Sequence, residues 1–178
     1  VSESPEIVLQ PELTLLIGVP GSGKTRYALQ NYPPAQVISS DAIRALIIGN
    51  PNDQSVTTIA HNLLRGMAGY RLRCGQHVVV DATNTVREHR QVLLAKAALH
   101  RAPAHAVVLD TPLEECLARN ALRPGPEAGQ VYGDRVPEDF IRSAYFRLQA
   151  DLPGLLAEGF TTVLTVQPAQ GGAANAGR

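Results

Sequence analysis

The segment LLIGVPGSGKTRYA, residues 15–28, constrains this chain more than any other. An apolar run halts at Gly18, passes through Val19, Pro20, Gly21, Ser22 and Gly23, and resumes with Lys24, Thr25 and helix-forming residues. Gly18 to Thr25 fits the spacing G-x-x-x-x-G-K-[ST] in full, between an expected strand and an expected helix, which is the context that spacing requires. Glycines let a backbone turn its N–H groups inward around anionic oxygens. The N-terminus of the following helix adds its positive dipole end. Gly18, Val19, Pro20, Gly21, Ser22, Gly23, Lys24 and Thr25 are therefore expected to cradle a nucleoside triphosphate. Lys24 would neutralise the β- and γ-phosphates, and the Thr25 hydroxyl would ligate magnesium. Lys24 and Lys96 are the only lysines, and the remaining Lys/Arg positions are all arginine. A compact ammonium in the turn suits phosphate as a point charge.

Short apolar runs alternate with helical patterns along the rest of the chain. Strands are predicted at Leu13–Ile17, Gln36–Ser39, His77–Val80, His105–Leu109 and Phe160–Val166. The middle three lack clean polar alternation, as expected of parallel strands buried on both faces. Helices are predicted at Lys24–Asn31, Ala42–Ile48, Asp53–Cys74, from Thr85 to His100, after Thr111, and from Pro137 to Ala150. TVRE at 85–88 and TPLE at 111–114 read as capping boxes. The order implies a doubly wound, mostly parallel five-stranded α/β sheet of the P-loop kinase type, with a helical or loop lid. Domain limits follow: an N-terminal arm at 1–11, a kinase domain at 12–166 and a polar tail at 167–178.

Composition removes some classes. Equal numbers of basic and acidic residues leave no bulk positive field to announce a nucleic-acid binder, although a local patch is still open. Two distant cysteines make neither a disulfide framework nor a zinc site, and point to reduced thiols in a cytoplasmic protein. No stretch is apolar for long enough to span a membrane. Oligomeric state has no signature here.

Ligands of such sheets bind outside the carboxyl ends of the strands, and the polar residues gather there. After the second strand, Asp41 and Arg44 stand three apart and face the same way. The carboxylate could accept a proton from an acceptor hydroxyl and the arginine could hold an acceptor anion; a helix cap with a surface arginine is the alternative. Ser40 could be the cap, which would free Asp41. The third strand runs into Asp81, expected to hold a magnesium-bound water or to position the acceptor. Asn84, Arg87 and Arg90 follow it, and Arg87 could equally be a solvated helix residue. Arg119 and Arg123 lie four apart at a helix end before a Pro/Gly-rich stretch, either as donors that close on the triphosphate or as cations against the helix dipole.

These pieces occur in one order: phosphate loop, S-S-D-x-x-R, N-D-Q, V-V-D-A-T-N with a later arginine, and R-N-x-x-R-P. From about Leu13 to Gln149 the chain resembles the kinase module of bacterial polynucleotide kinase-phosphatases, within the phage-type polynucleotide kinase-like P-loop proteins. The resemblance implies an ATP- and Mg2+-dependent kinase. Asp41 would be the general base on a 5′-hydroxyl, and Arg44 would contact the acceptor's 3′-phosphate. Lys24 and Thr25 would serve ATP and magnesium, and Arg119 and Arg123 would lie on the donor phosphates. Asp81, Asn84 and Arg90 would belong to the acceptor side. The lid sequence PGPEAGQVYGDRV departs from the family, and the charge is neutral where a polynucleotide channel usually needs positive grooves. Two alternatives stay open: a kinase of a small hydroxylated metabolite or antibiotic, and a non-kinase ATP-binding switch.

Overall fold

The computed structural model describes residues 10–124 and 135–167. Most of the expected arm and tail, and the centre of the expected lid, lie outside the described residues. The elements run β1 Glu12–Ile17, α1 Lys24–Asn31, β2 Val37–Ser39, α2 Ser40–Ile48, α3 Thr57–Arg73, β3 His77–Asp81, α4 Arg87–Leu99, β4 Ala104–Leu109, α5 Leu113–Ala121, α6 Glu138–Asp151 and β5 Thr162–Val166. The five strands form one sheet in the order β2-β3-β1-β4-β5, and every pairing is parallel.

Alternation along the strands sorts their side chains to two faces. Leu13, Leu15, Ile17, Val78, Val80, Ala106 and Val108 face α3 and α4. Leu16, Val79, Val107 and Leu109 face α1, packing on Ala28 with Tyr27 and Tyr32 beside it. Both faces of the central strands are apolar because both are covered. Helix α3 meets the sheet through Ala60, Leu64, Ala68 and Leu72, one residue every turn. A third cluster joins Val19 of the phosphate loop to Cys116 and Leu117 of α5 and to Ile141 and Ala144 of α6. The loop is thereby packed onto the fold from behind.

Helix starts differ from the sequence reading in instructive ways. Ser39, not Ser40, caps α2, its hydroxyl accepting from Ala42 N at 3.4 Å. The helix expected from Asp53 opens as a 3-10 turn at Gln54–Val56, with Asp53 accepting from Ser55 N at 2.8 Å. Neither expected capping box caps: α4 begins after Val86 and α5 after Pro112, each without a side-chain cap. The Thr111 hydroxyl instead donates to the carbonyl of Ser22 at 2.9 Å, fastening the phosphate loop.

Arg90 requires a larger correction. Expected among the acceptor contacts, it is fully buried. Its Nε donates to Glu158 at 2.8 Å, its Nη2 to Glu158 and Asp151 at 2.5 and 2.7 Å, and its Nη1 to the Asn84 carbonyl at 3.1 Å. Two carboxylates from the C-terminal part of the chain draw the guanidinium inward, so Arg90 clamps α4 to the segment that leads into β5.

Candidate functional site

Strand β1 sits at the centre of the sheet and delivers the phosphate loop at its carboxyl edge. Gly18 N donates to the Thr83 carbonyl at 3.0 Å, so the loop after β1 is tied to the loop after β3. Two glycines have compelling reasons to be glycine. A Cβ on Gly18 would lie 2.5 Å from Ser22 Oγ. Gly21 has φ +86°, and a Cβ there would lie 2.5 Å from the backbone oxygen of Cys116. The tight turn leaves the start of α1 open to a ligand, with Gly23 as a left-handed cap and Lys24 as the first helical residue.

Lys24 is buried, and its Nζ donates to the Val19 carbonyl at 2.9 Å and to Ser22 Oγ at 3.4 Å. Burial pushes its pKa down from 10.5 to about 8, against the raising pull of Asp81 and Asp41. The ammonium is thus poorly solvated while still protonated at neutral pH, and an arriving anion gains by meeting it. Thr25 Oγ1 donates to Asp81 Oδ2 at 2.8 Å. Burial raises the Asp81 pKa, the Thr25 hydrogen bond and the Lys24 charge lower it, and Asp41 raises it again. A hydroxyl and a carboxylate side by side at a phosphate loop are hard oxygen donors of the kind magnesium takes alongside phosphate oxygens and water. Among the described residues no group of three His, Cys, Asp or Glu side chains forms a metal cage.

Asp41 lies in the first turn of α2 with its side chain more than half exposed, paired with Arg44 Nη2. Its charge acts on both Lys24 and Asp81, so β2 and α2 bring it to the same edge as the phosphate loop. Arg44 is largely buried, and its Nε donates to the Pro51 carbonyl at 2.6 Å. Asn84 is buried with φ +50°, and its amide nitrogen donates to the Leu16 carbonyl at 2.8 Å. That nitrogen joins β3's end to β1, so its donor capacity goes to the backbone rather than to a ligand.

On the other side of the loop, Arg119 Nη1 donates to the Gly21 carbonyl at 3.1 Å while Nη2 pairs with Glu115. The Arg123 charge depresses the Lys24 pKa, which puts it near the same ammonium. Two residues here carry more structure than the sequence reading gave them. The buried Asn120 amide accepts from Val136 N at 2.9 Å and donates to the Val136 carbonyl at 2.8 Å. Arg135 reaches the Ala121 and Arg123 carbonyls at 2.7 and 3.2 Å. The signal for Asn120 was a lone amide in RNALR, between the two arginines that reach toward the phosphate loop.

A family model described as AAA domain matches residues 13–150, well over half of the chain. The chain belongs to the AAA-domain family. The curated transcription factor bHLH140 of Arabidopsis thaliana is 33% identical over 127 residues, covering 69% of this chain and 13% of that protein. A chain in the solved Pnkp1/Rnl/Hen1 RNA repair complex superimposes with a TM-score of 0.62 at 20% identity, covering 86% of this chain and 48% of that one. Kti12 of Chaetomium thermophilum, solved with ADP-AlF3, gives a TM-score of 0.65 at 16% identity, with 90% and 91% covered. This AAA-domain chain thus spans about half of the RNA-repair chain and a small part of the plant protein. Its five parallel strands with flanking helices are the α/β fold of P-loop kinases. No described helix is long and apolar enough to cross a membrane.

Proposed function

We propose that this AAA-domain protein is an ATP-dependent kinase that phosphorylates the 5′-hydroxyl of a polynucleotide. One observation carries the reading: the Asp41 carboxylate stands exposed at the sheet edge, within electrostatic reach of Lys24 and of the Thr25–Asp81 pair. A carboxylate there can take a proton from an alcohol or from water, and the transfer assay below separates the two. The ordered motifs shared with polynucleotide kinases and the similarity to an RNA-repair chain support the choice of acceptor.

The residues present fit both absent groups. The narrow glycine turn, the desolvated Lys24 and the open start of α1 fit a triphosphate; Thr25 and Asp81 fit Mg2+. When bound, ATP supplies the transferable phosphoryl group and magnesium neutralises its oxygens. Lys24, now on the Val19 carbonyl, would hold the triphosphate's oxygens and stabilise the charge that builds up there. Asp41 accepts the proton of the acceptor hydroxyl on a carboxylate oxygen, and Arg44 orients that carboxylate from the next turn of α2. Arg119 on α5 and Arg123 just beyond its end would lie on the donor phosphates. The centre of the expected lid, residues 125–134, lies outside the described residues and has no part in this scheme.

The test is transfer of radiolabelled γ-phosphate to a panel of 5′-hydroxyl oligonucleotides, sugars and aminoglycosides. Asp41→Asn should lower transfer by about 10²–10⁴-fold, the usual contribution of a positioned base. Label on a sugar and on no oligonucleotide would exclude the polynucleotide acceptor. ATP hydrolysis that Asp41→Asn leaves intact, with no labelled alcohol, would exclude a kinase.

A further inference from the structure

The turn into α2 carries two serines, and the structure gives them different partners. Ser39 is the cap, its hydroxyl accepting from Ala42 N at 3.4 Å. Ser40 is the first helical residue and is only 6% exposed, next to an Asp41 side chain that is 59% exposed. A serine inside a helix commonly returns its hydrogen to the carbonyl four residues earlier. For Ser40 that residue is Gln36, which precedes β2 and lies outside the helix. The hydroxyl instead donates to Asp41 Oδ1 at 3.2 Å.

The same oxygen takes a second donor. Arg44 Nη2 pairs with Oδ1, while its Nε is held by the Pro51 carbonyl at 2.6 Å. Both donors are buried, and the carboxylate they meet is not. Each oxygen of a carboxylate can accept about two hydrogen bonds, so Oδ1 is filled. Among the described residues Oδ2 accepts none. An exposed Asp carboxylate would otherwise sample its broad, two-fold terminal torsion. Arg44 is long enough to follow the group as it turns. The Ser40 hydroxyl sits on a short side chain and cannot follow, so Ser40 fixes which oxygen points where.

We infer that Ser40 is a positioning residue for the proton transfer: its hydroxyl locks the Asp41 carboxylate so that Oδ1 stays with Ser40 and Arg44 and Oδ2 receives the acceptor's proton. The inference rests on the reading above, in which Asp41 is the base. In that step the acceptor oxygen forms a bond to the γ-phosphorus. The bond from that phosphorus to the ADP oxygen breaks, its electron pair leaving with ADP, and the acceptor's proton ends on Oδ2. Ser40 touches neither substrate in this scheme. Its loss therefore slows the step and leaves binding alone, because a carboxylate that turns freely spends less time aligned with the proton.

Steady-state kinetics of the full chain test this, with radiolabelled ATP and a 5′-hydroxyl oligonucleotide. Ser40→Ala should lower kcat about tenfold, the loss of one hydrogen bond to a charged group. KM for ATP and for the oligonucleotide should stay unchanged. Ser40→Cys keeps the bulk of the side chain, offers only a weak S–H donor and should fall with it. Ser39→Ala removes the cap, so it should lower the melting temperature and leave kcat at the wild-type level. An unchanged kcat in either Ser40 variant overturns the inference. So does an equal fall in Ser39→Ala, since the start of the helix is then all that either serine secures. Where the wild type labels no alcohol, phosphate release from ATP is followed instead. A tenfold fall of that release in Ser40→Ala supports the positioning, with water as the source of the proton, and removes the kinase reading. Transfer that Ser40→Ala leaves intact does the reverse.

Discussion

The two halves of the cleft are built on different plans. On the donor side nearly every polar group already has a protein partner: Lys24 holds Val19, Thr25 holds Asp81, Arg119 holds Gly21 and Thr111 holds Ser22. On the proposed acceptor side the frame is equally firm, through Arg90 and Asn84, and its polar side chains are engaged with one another or with backbone, Asp41 with Arg44 and Arg44 with Pro51, while Arg65 is held only at a long 3.4 Å. A triphosphate is always the same shape, so its cradle can be formed in advance from backbone and short side chains. An acceptor varies among enzymes of one fold, and its recognition falls to long or titratable side chains on helix faces.

The contrast can be broken first at the acceptor frame. Arg90→Met would leave Glu158, whose side chain is 3% exposed, with only the exposed Arg87 Nε at 3.8 Å as its cation, and Asp151 without its own. Removing one partner of a buried pair costs about 3–5 kcal/mol, and denaturant unfolding should show a loss of that size. A loss near zero would mean that the frame is not firm. Next is the donor half. Gly21→Ala forces a side chain into a left-handed conformation and against the Cys116 carbonyl. About 1–3 kcal/mol of strain should appear as a lower melting temperature together with weaker ATP binding. ATP affinity left intact would show that the turn is less preformed than its contacts indicate.

Acid sensitivity is the gentlest probe; His77 contributes to it elsewhere in the sheet, and beside the small pocket between α3 and α4 it rests on two rings. His61 and His89 have folded-state pKa values below the unfolded 6.5. Between the two values the unfolded chain binds more protons, so their contribution to stability is full above about 6.5 and is lost as the pH falls toward the folded values. Replacing both by Gln should flatten the fall in stability below that pH. An unchanged slope would assign the acid response to other groups.

How much of this could be read in the sequence differs along the same divide. The phosphate loop was legible because its spacing is local: eight consecutive residues state a strand end, a turn and a helix start. All five strands were also legible, to within two residues at their ends; the central three because burial on both faces writes itself as an apolar run, and the edge strands β2 and β5 from their short β-branched runs alone. Arg90 was not, since its partners stand 61 and 68 residues further on. Nor was the use made of Thr111, whose local pattern promised a cap while a carbonyl 89 residues away took its hydrogen. The histidine pocket needs α3 and α4 side by side, and no spacing within either helix announces the other.

The clasp between Asn120 and Val136 ties the end of α5 to the residue before Pro137 and the start of α6 through both polar atoms of one amide. The same two helices pack on Val19 of the phosphate loop. Losing that one side chain would leave a backbone N–H and a carbonyl without their partner, so a neutral amide sets how firmly the loop is backed.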